Sequence, residues 1–312
     1  MRIVVFQSVP AMTDDWLQAL RIRLPHADIY PHVQSEGKVA DYGVAWRPPA
    51  DFFPSHPALK AFFCTGAGVE SILSDANLPP LLPVVRLENA GMGAQMADYC
   101  IFETLRWMRN RDAYDAQQRE RRWHPLPVED YSRWPIGVFG LGQLGGQIAN
   151  TFLALGFPVN GYARRAQALP GITCYADNGG AKDFAAFLAA TRVLVIAAPL
   201  TAATRDRFDR ASLSILRSSS YVINVARGAL VIDEALIELL DDGHVAGAAL
   251  DVFRQEPLPA THPFWSHPRI RITPHISAVT HVETSAAQIA DKILKLARAE
   301  PIGGLVDRQR GY

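Results

Sequence analysis

Three side chains in the second half of the chain are suited to moving a proton and holding an anion: Arg227 in "NVARGAL", Glu256 in "DVFRQEPL" and His275 in "TPHISA". An imidazole titrates near neutrality and can give or take a proton at physiological pH. A carboxylate beside it favours the imidazolium, and a guanidinium offers a substrate carboxylate forked donors that an ammonium lacks. Each residue also has a plainer reading: Arg227 as a solvated loop residue, Glu256 as the cap of a turn before Pro257, His275 as a satisfied core histidine. Upstream, "VFGLGQLGGQIA" (138–149) sets Gly140, Gly142 and Gly145 in a G-x-G-x-x-G pattern between an apolar strand and a helix. There the first glycine makes a tight turn, the second lets backbone approach a pyrophosphate, and the third packs helix on strand.

These residues need a scaffold, and from residue 136 the chain supplies one. Apolar stretches "IGVFG", "PVNGYA", "VLVIAAP" (193–199), "YVINVA" (221–226), "VAGAALDVF" (245–253) and "IRITPH" (270–275) alternate with helical ones over 143–155, 182–190, 209–216 and 233–243. Near-continuous apolar strands alternating with helices predict a parallel α/β sheet covered on both faces. Ligands of such sheets bind beyond the carboxyl ends of the strands. That rule gathers on one rim the glycine loop with Gln143 and Leu144, Arg164–Arg165, Pro199–Leu200–Thr201, Arg227, Asp251 with Glu256, and His275. Thr204, Ala226 and Ser277 complete the candidate cofactor contacts. The fingerprint normally continues to an acidic residue about 20 residues on that holds a ribose 2′-hydroxyl. Here the strand "FPVNGYA" ends in Arg164 and Arg165, charged donors suited to a 2′-phosphate. NADPH is therefore the expected cofactor, with NAD weaker; the bland alternative is a solvated surface pair.

The first 90 residues form a smaller α/β unit, with apolar runs "RIVVF" (2–6), "YGVAW" (42–46), "AFFC" (61–64) and "PVVRL" (83–87). Trp46, at the end of one of these runs, reads equally well as a pocket wall or a buried core residue. A helix over 94–112 carries Met96, Cys100, Ile101, Leu105 and Met108 along one side, and a Trp- and Pro-rich passage leads from it to the glycine loop. A last amphipathic helix over about 282–299, with Ala286, Ile289, Ile293, Leu296 and Ala297 at helical spacing, is in excess of one doubly wound unit and is expected to return to the N-terminal one. The domains then read as 1–95 plus 284–312, with 96–283 inserted.

The chain has 312 residues, enough for two cores, and 31 basic against 31 acidic residues, so no global field draws it to nucleic acid or membrane. Three cysteines, odd in number and in no C-x-x-C pair, argue against a disulfide framework or a metal site and for a reducing compartment, the cytoplasm. No apolar run reaches the roughly 18 residues of a membrane span.

"GLGQLG", "NVARGALVIDEAL", "ALDVFRQEPL" and "TPHISA" occur in order over about 140 residues and resemble the successive signatures of the D-isomer-specific 2-hydroxyacid dehydrogenases. The resemblance implies a Rossmann-type cofactor domain inserted into a flavodoxin-like substrate domain, and a homodimer. It implies reduction of small 2-keto acids such as glyoxylate and hydroxypyruvate, with His275 as the acid/base, Glu256 its partner and Arg227 the substrate arginine. The loop "CTGAGVE" (64–70) matches where the family offers backbone N–H groups to the substrate carboxylate, at Ala67 and Gly68, although its flanking residues depart from commoner versions. Asp251 matches a position near the nicotinamide amide, and a strand-end cap is an equal alternative. A non-catalytic dinucleotide sensor and another enzyme type on a glycine-rich α/β fold, such as a methyltransferase, are the competing readings; the joint presence of His275, Glu256 and Arg227 disfavours both.

Overall fold

The apolar runs become strands that pair only in parallel with their ladder neighbours, in a computed structural model that describes residues 1–312. The chain divides into two compact units, Met1–Met92 with Thr280–Tyr312, and Gly93–Val279. In the first, β1 (Arg2–Gln7), β2 (Asp28–Pro31), β3 (Tyr42–Trp46), β4 (Ala61–Cys64) and β5 (Val84–Val85) lie in the order β2-β1-β3-β4-β5. This is the flavodoxin-like order. The helix Val282–Ala297 packs on the helix Pro10–Arg23, burying Ala286, Ile289 and Ile293 on one side and Trp16 and Leu20 on the other. Its buried Lys292 reaches Glu88 Oε2 at 2.8 Å, so the charge is paired where it leaves water.

The second unit holds β6 (Ile136–Phe139), β7 (Val159–Ala163), β8 (Ile172–Ala176), β9 (Val193–Ile196), β10 (Ser220–Asn224), β11 (Val245–Leu250) and β12 (Ile270–Ile272). Their order, β12-β11-β10-β9-β6-β7-β8, is the Rossmann arrangement with one strand added. The central strands β6, β9 and β10 are buried along their whole length, as a sheet covered on both faces requires.

The structure differs from the sequence reading in three places. β2 and β8 had not been expected as strands, and both are sheet edges: half-exposed edges need no continuous apolar run, and β2 ends in a proline. The helix expected over 94–112 is two, Met92–Met108 and Arg111–Arg119, broken at Asn110. Asn110 takes a left-handed conformation (φ 54°), which Asn tolerates better than most side chains, and its amide donates to Pro127 O at 3.1 Å. No helix is long and apolar enough to cross a membrane.

Candidate active site

Because β6, β7, β9, β10, β11 and β12 run in parallel, the residues that follow them share one rim. The glycine loop lies at the switch point, where β6 sits between β9 and β7 and the strand order reverses. Its three glycines differ in what demands them. Gly140 has φ +107°, and a Cβ there would lie 2.6 Å from the backbone of Ala198; a Cβ on Gly145 would lie 1.9 Å from Gly140 O. The fold itself forbids side chains at both. At Gly142 a Cβ would meet nothing within 4 Å, so the protein leaves that space open. Gly142 is also the N-cap of the helix Gln143–Ala154 and has no side chain to cap it, which leaves the positive end of that helix to an anion. This cradle fits a dinucleotide pyrophosphate. Gln143 is exposed and Leu144 half-buried in its first turn; Arg164 and Arg165, just past β7, are both exposed.

Past β9 the loop closes on itself. Thr204 Oγ1 donates to Pro199 O at 2.7 Å and accepts from Thr201 N at 2.8 Å, with Leu200 half-buried between them. At the end of β10, the buried Asn224 takes the N–H of Ala226 on its Oδ1 (3.1 Å) and donates through Nδ2 to Arg227 O (3.0 Å). It thereby shapes the turn that presents Arg227, whose Nη1 donates to Ala226 O at 2.6 Å. Gly228 follows because a Cβ there would lie 2.0 Å from the carbonyl carbon of Phe253. That close approach brings the arginine turn onto the segment that carries Glu256.

His275 and Glu256 meet: His275 Nδ1 lies 2.8 Å from Glu256 Oε2. Glu256 Oε1 accepts from the N–H of Phe253 at 3.0 Å, which fixes the carboxylate. His275 itself sits in the left-handed region, φ 57°, a conformation that costs a non-glycine residue about 1–2 kcal/mol. Its own N–H holds it there, within reach of Asp251 O (2.8 Å) and Thr273 O (3.1 Å).

Asp251 is fully buried, and its carboxylate serves this loop: Oδ1 accepts from Thr273 Oγ1 (2.6 Å) and Ile276 N (2.8 Å), and Oδ2 from Ser277 N (2.8 Å). These three bonds make Asp251 a cap at the end of β11. Ser277, expected among the cofactor contacts, is buried with its backbone in the same cluster. Sequence reasoning overlooked Asn224 and Thr273. A polar residue closing the otherwise apolar "YVIN" was the available signal for Asn224; Thr273 offered none.

Within the first unit, Trp46 is half-buried and lies against Gly66, where a Cβ would come 2.2 Å from its ring. The loop after β4 is anchored by Thr65 N to Ala45 O (3.2 Å) and Cys64 Sγ to Gly68 O (3.5 Å). The N–H groups of Ala67 and Gly68 meet no acceptor within the protein.

Residues 101–277 match the family model of the D-isomer specific 2-hydroxyacid dehydrogenase NAD binding domain. The chain is 39% identical over 314 residues to glyoxylate/hydroxypyruvate reductase A of Klebsiella pneumoniae strain 342, covering 99% of both. Against the protein of the same name from Escherichia fergusonii the identity is 40% over 302 residues, covering 95% and 96%. Among solved structures, a D-isomer specific 2-hydroxyacid dehydrogenase from Xanthobacter autotrophicus Py2, in complex with NADPH and MES, superposes with a TM-score of 0.92 at 35% identity over 99% of each chain. An NADPH-dependent glyoxylate/hydroxypyruvate reductase from Sinorhizobium meliloti, in complex with NADP and sulfate, gives 0.92 at 29% identity, covering 100% of this chain and 99% of that one.

Proposed function

Since the chain belongs to the D-isomer specific 2-hydroxyacid dehydrogenase family, we propose that it reduces small 2-keto acids with NADPH, glyoxylate to glycolate and hydroxypyruvate to D-glycerate. The observation that carries this reading is the 2.8 Å contact between His275 and Glu256 on the rim that also bears Arg227 and the open glycine cradle. When bound, the cofactor supplies the hydride for the keto carbon. The protein must supply the proton. With Nδ1 held by Glu256, Nε2 of His275 is the atom that gives a proton to the carbonyl oxygen, and Glu256 stabilises the imidazolium that does so. Arg227 binds the substrate carboxylate and polarises the carbonyl through forked donors. Within the first unit, the backbone N–H groups of Ala67 and Gly68 are the family-matched candidates for binding a carboxylate.

Arg164 and Arg165 receive the 2′-phosphate, which gives NADPH its advantage over NADH. The other proposed cofactor contacts are Gln143, Leu144, Pro199, Leu200, Thr204 and Ala226 around the cradle. The protein acts as a cytoplasmic homodimer, a reading supported by its three free cysteines and its family. A panel of glyoxylate, hydroxypyruvate, pyruvate and bulkier keto acids with NADPH tests the assignment. Turnover of the first two, with D-glycerate as the hydroxypyruvate product on a chiral column, is expected. Absence of turnover with every member would overturn it.

A further inference from the structure

The hydrogen bonds behind the His275 loop do not stop at Asp251. Tyr99 Oη lies 2.8 Å from Thr273 Oγ1, and Thr273 Oγ1 lies 2.6 Å from Asp251 Oδ1. The direction of this chain is fixed by chemistry. An ionised carboxylate only accepts, and a threonine hydroxyl has one proton to give. Thr273 gives it to Asp251, so Tyr99 must donate to Thr273. Burial also pushes the Tyr99 hydroxyl above the usual tyrosine range, which keeps it a donor. Tyr99 belongs to the helix Met92–Met108, far in sequence from the loop it supports. Its partners bracket His275: Thr273 lies two residues before, and Ile276 and Ser277, bound to the same Asp251 carboxylate, lie just after.

We propose that Tyr99, acting through Thr273 and Asp251, is a positioning residue that holds His275 in its left-handed conformation and its imidazole on Glu256. The two ends of the bracket matter together. Asp251 draws residues 273, 276 and 277 to one point, and the two residues between them, Pro274 and His275, are forced into the turn that sets His275 toward Glu256. By donating to Thr273 Oγ1, the Tyr99 hydroxyl holds the threonine in the orientation that gives its proton to Asp251. Removing that hydroxyl leaves the loop attached but free to sample conformations in which Nε2 points away from the substrate. The inference rests on the proposed role of His275, so its test needs a readout independent of turnover.

Four variants are compared with the unmutated protein: Tyr99→Phe, Thr273→Val, Thr273→Ser and the double variant Tyr99→Phe/Thr273→Val. Two quantities are measured on each: keto-acid kcat and KM, and the ring nitrogen resonances of His275 in long-range ¹H–¹⁵N NMR spectra, assigned with His275→Ala. Tyr99→Phe should lower kcat about 2- to 12-fold, the loss of roughly one net hydrogen bond's worth of ordering. KM and the NADPH dissociation constant should stay within about twofold. Thr273→Val should match or exceed that loss, Thr273→Ser should restore most of it, and the double variant should be no worse than Thr273→Val, because both changes cut one chain. The His275 resonances should broaden or shift in Tyr99→Phe and not in Thr273→Ser. Unchanged His275 resonances in Tyr99→Phe would overturn the proposal even if the protein reduced no keto acid at all. Additive losses in the double variant would overturn it too. A protein without reductase activity whose His275 resonances nonetheless respond would instead count against the proposed reaction alone.

Discussion

The two ends of the cofactor unit's rim are built on opposite plans. At the His275 end the supporting polar groups bind one another inside the protein. Asp251 is fully buried and accepts three hydrogen bonds, Glu256 is fixed by the Phe253 N–H, and Asn224 shapes the turn of Arg227. At the glycine-loop end the protein leaves space and charge. Gly142 faces open space, its helix has no side-chain cap, and Arg164 and Arg165 are exposed. The difference follows from what each end does in the proposed reaction. Proton transfer demands groups held close to their working geometry before substrate arrives, since small misplacements cost large factors in rate. Cofactor discrimination needs only complementary charge that a bound phosphate can organise, at a cost in salt sensitivity. Changes at the first end should therefore cost turnover, and changes at the second should cost selectivity.

The most severe break is expected at the ordered end. His275→Ala should lower the rate of keto-acid reduction by roughly 10²–10⁴-fold, as for a lost general acid, while NADPH still binds by fluorescence titration. Near-normal turnover would remove His275 from the chemistry. Glu256→Gln should retain only part of the activity, because the ring keeps a hydrogen-bonding neighbour and loses the charged one. Full kcat in that variant would count against the pair. Arg227→Ala should cost about 10²–10⁴-fold in kcat/KM through two lost charge-assisted hydrogen bonds, with Arg227→Lys intermediate. Equal kcat/KM in all three forms would make the arginine structural only.

The glycines sharpen the comparison without touching a catalytic group. Gly145→Ala places a methyl 1.9 Å from Gly140 O and should destabilise the fold by about 1–3 kcal/mol in denaturant melts. Gly142→Ala meets no protein atom, so its melting temperature should hold while the NADPH KM rises. The reverse pattern would mean that the open cradle is not where the pyrophosphate lies.

The smallest effect is expected within the first unit. His56 is buried, its Nε2 lies 3.1 Å from His32 Nδ1, and burial holds its pKa below the ordinary 6.5. Below that value the unfolded chain takes a proton that the folded one resists. Stability should therefore be constant above about pH 6.5 and fall as the pH drops toward the folded value. Melting temperatures should decline by a few degrees (about 2–4 °C) between pH 7 and 5.5, and less steeply in His56→Gln. Identical slopes in the two proteins would assign the decline to other groups.

What the sequence disclosed and what it hid divide along the same physical lines. Buried parallel strands such as β9 and β10 declare themselves by unbroken apolar runs, whereas the edge strands β2 and β8 carry mixed residues and pass for loops. Arg227, Glu256 and His275 stood out because charged or titratable groups just past apolar strands have few structural reasons to be there. Thr273 and Tyr99 did not. A threonine in "RITPH" and a tyrosine at helical spacing look like ordinary packing, and only the folded chain puts their hydroxyls 2.8 Å apart. The helix break at Asn110 was equally hidden, since apolar periodicity runs straight through it.

The most direct measurement follows absorbance at 340 nm on the unmutated protein, with glyoxylate and either NADPH or NADH, at low and high salt. Two arginines on a 2′-phosphate, at about 1.5–3 kcal/mol for a charge-assisted hydrogen bond and 1.4 kcal/mol per tenfold, less what salt screens at an exposed rim, predict a preference for NADPH of roughly 10- to 1,000-fold. That preference should shrink as salt rises and should collapse in Arg164→Asp or Arg165→Asp, with NADH use unchanged or improved. Equal use of the two cofactors by the unmutated protein, or no oxidation of either, would contradict it.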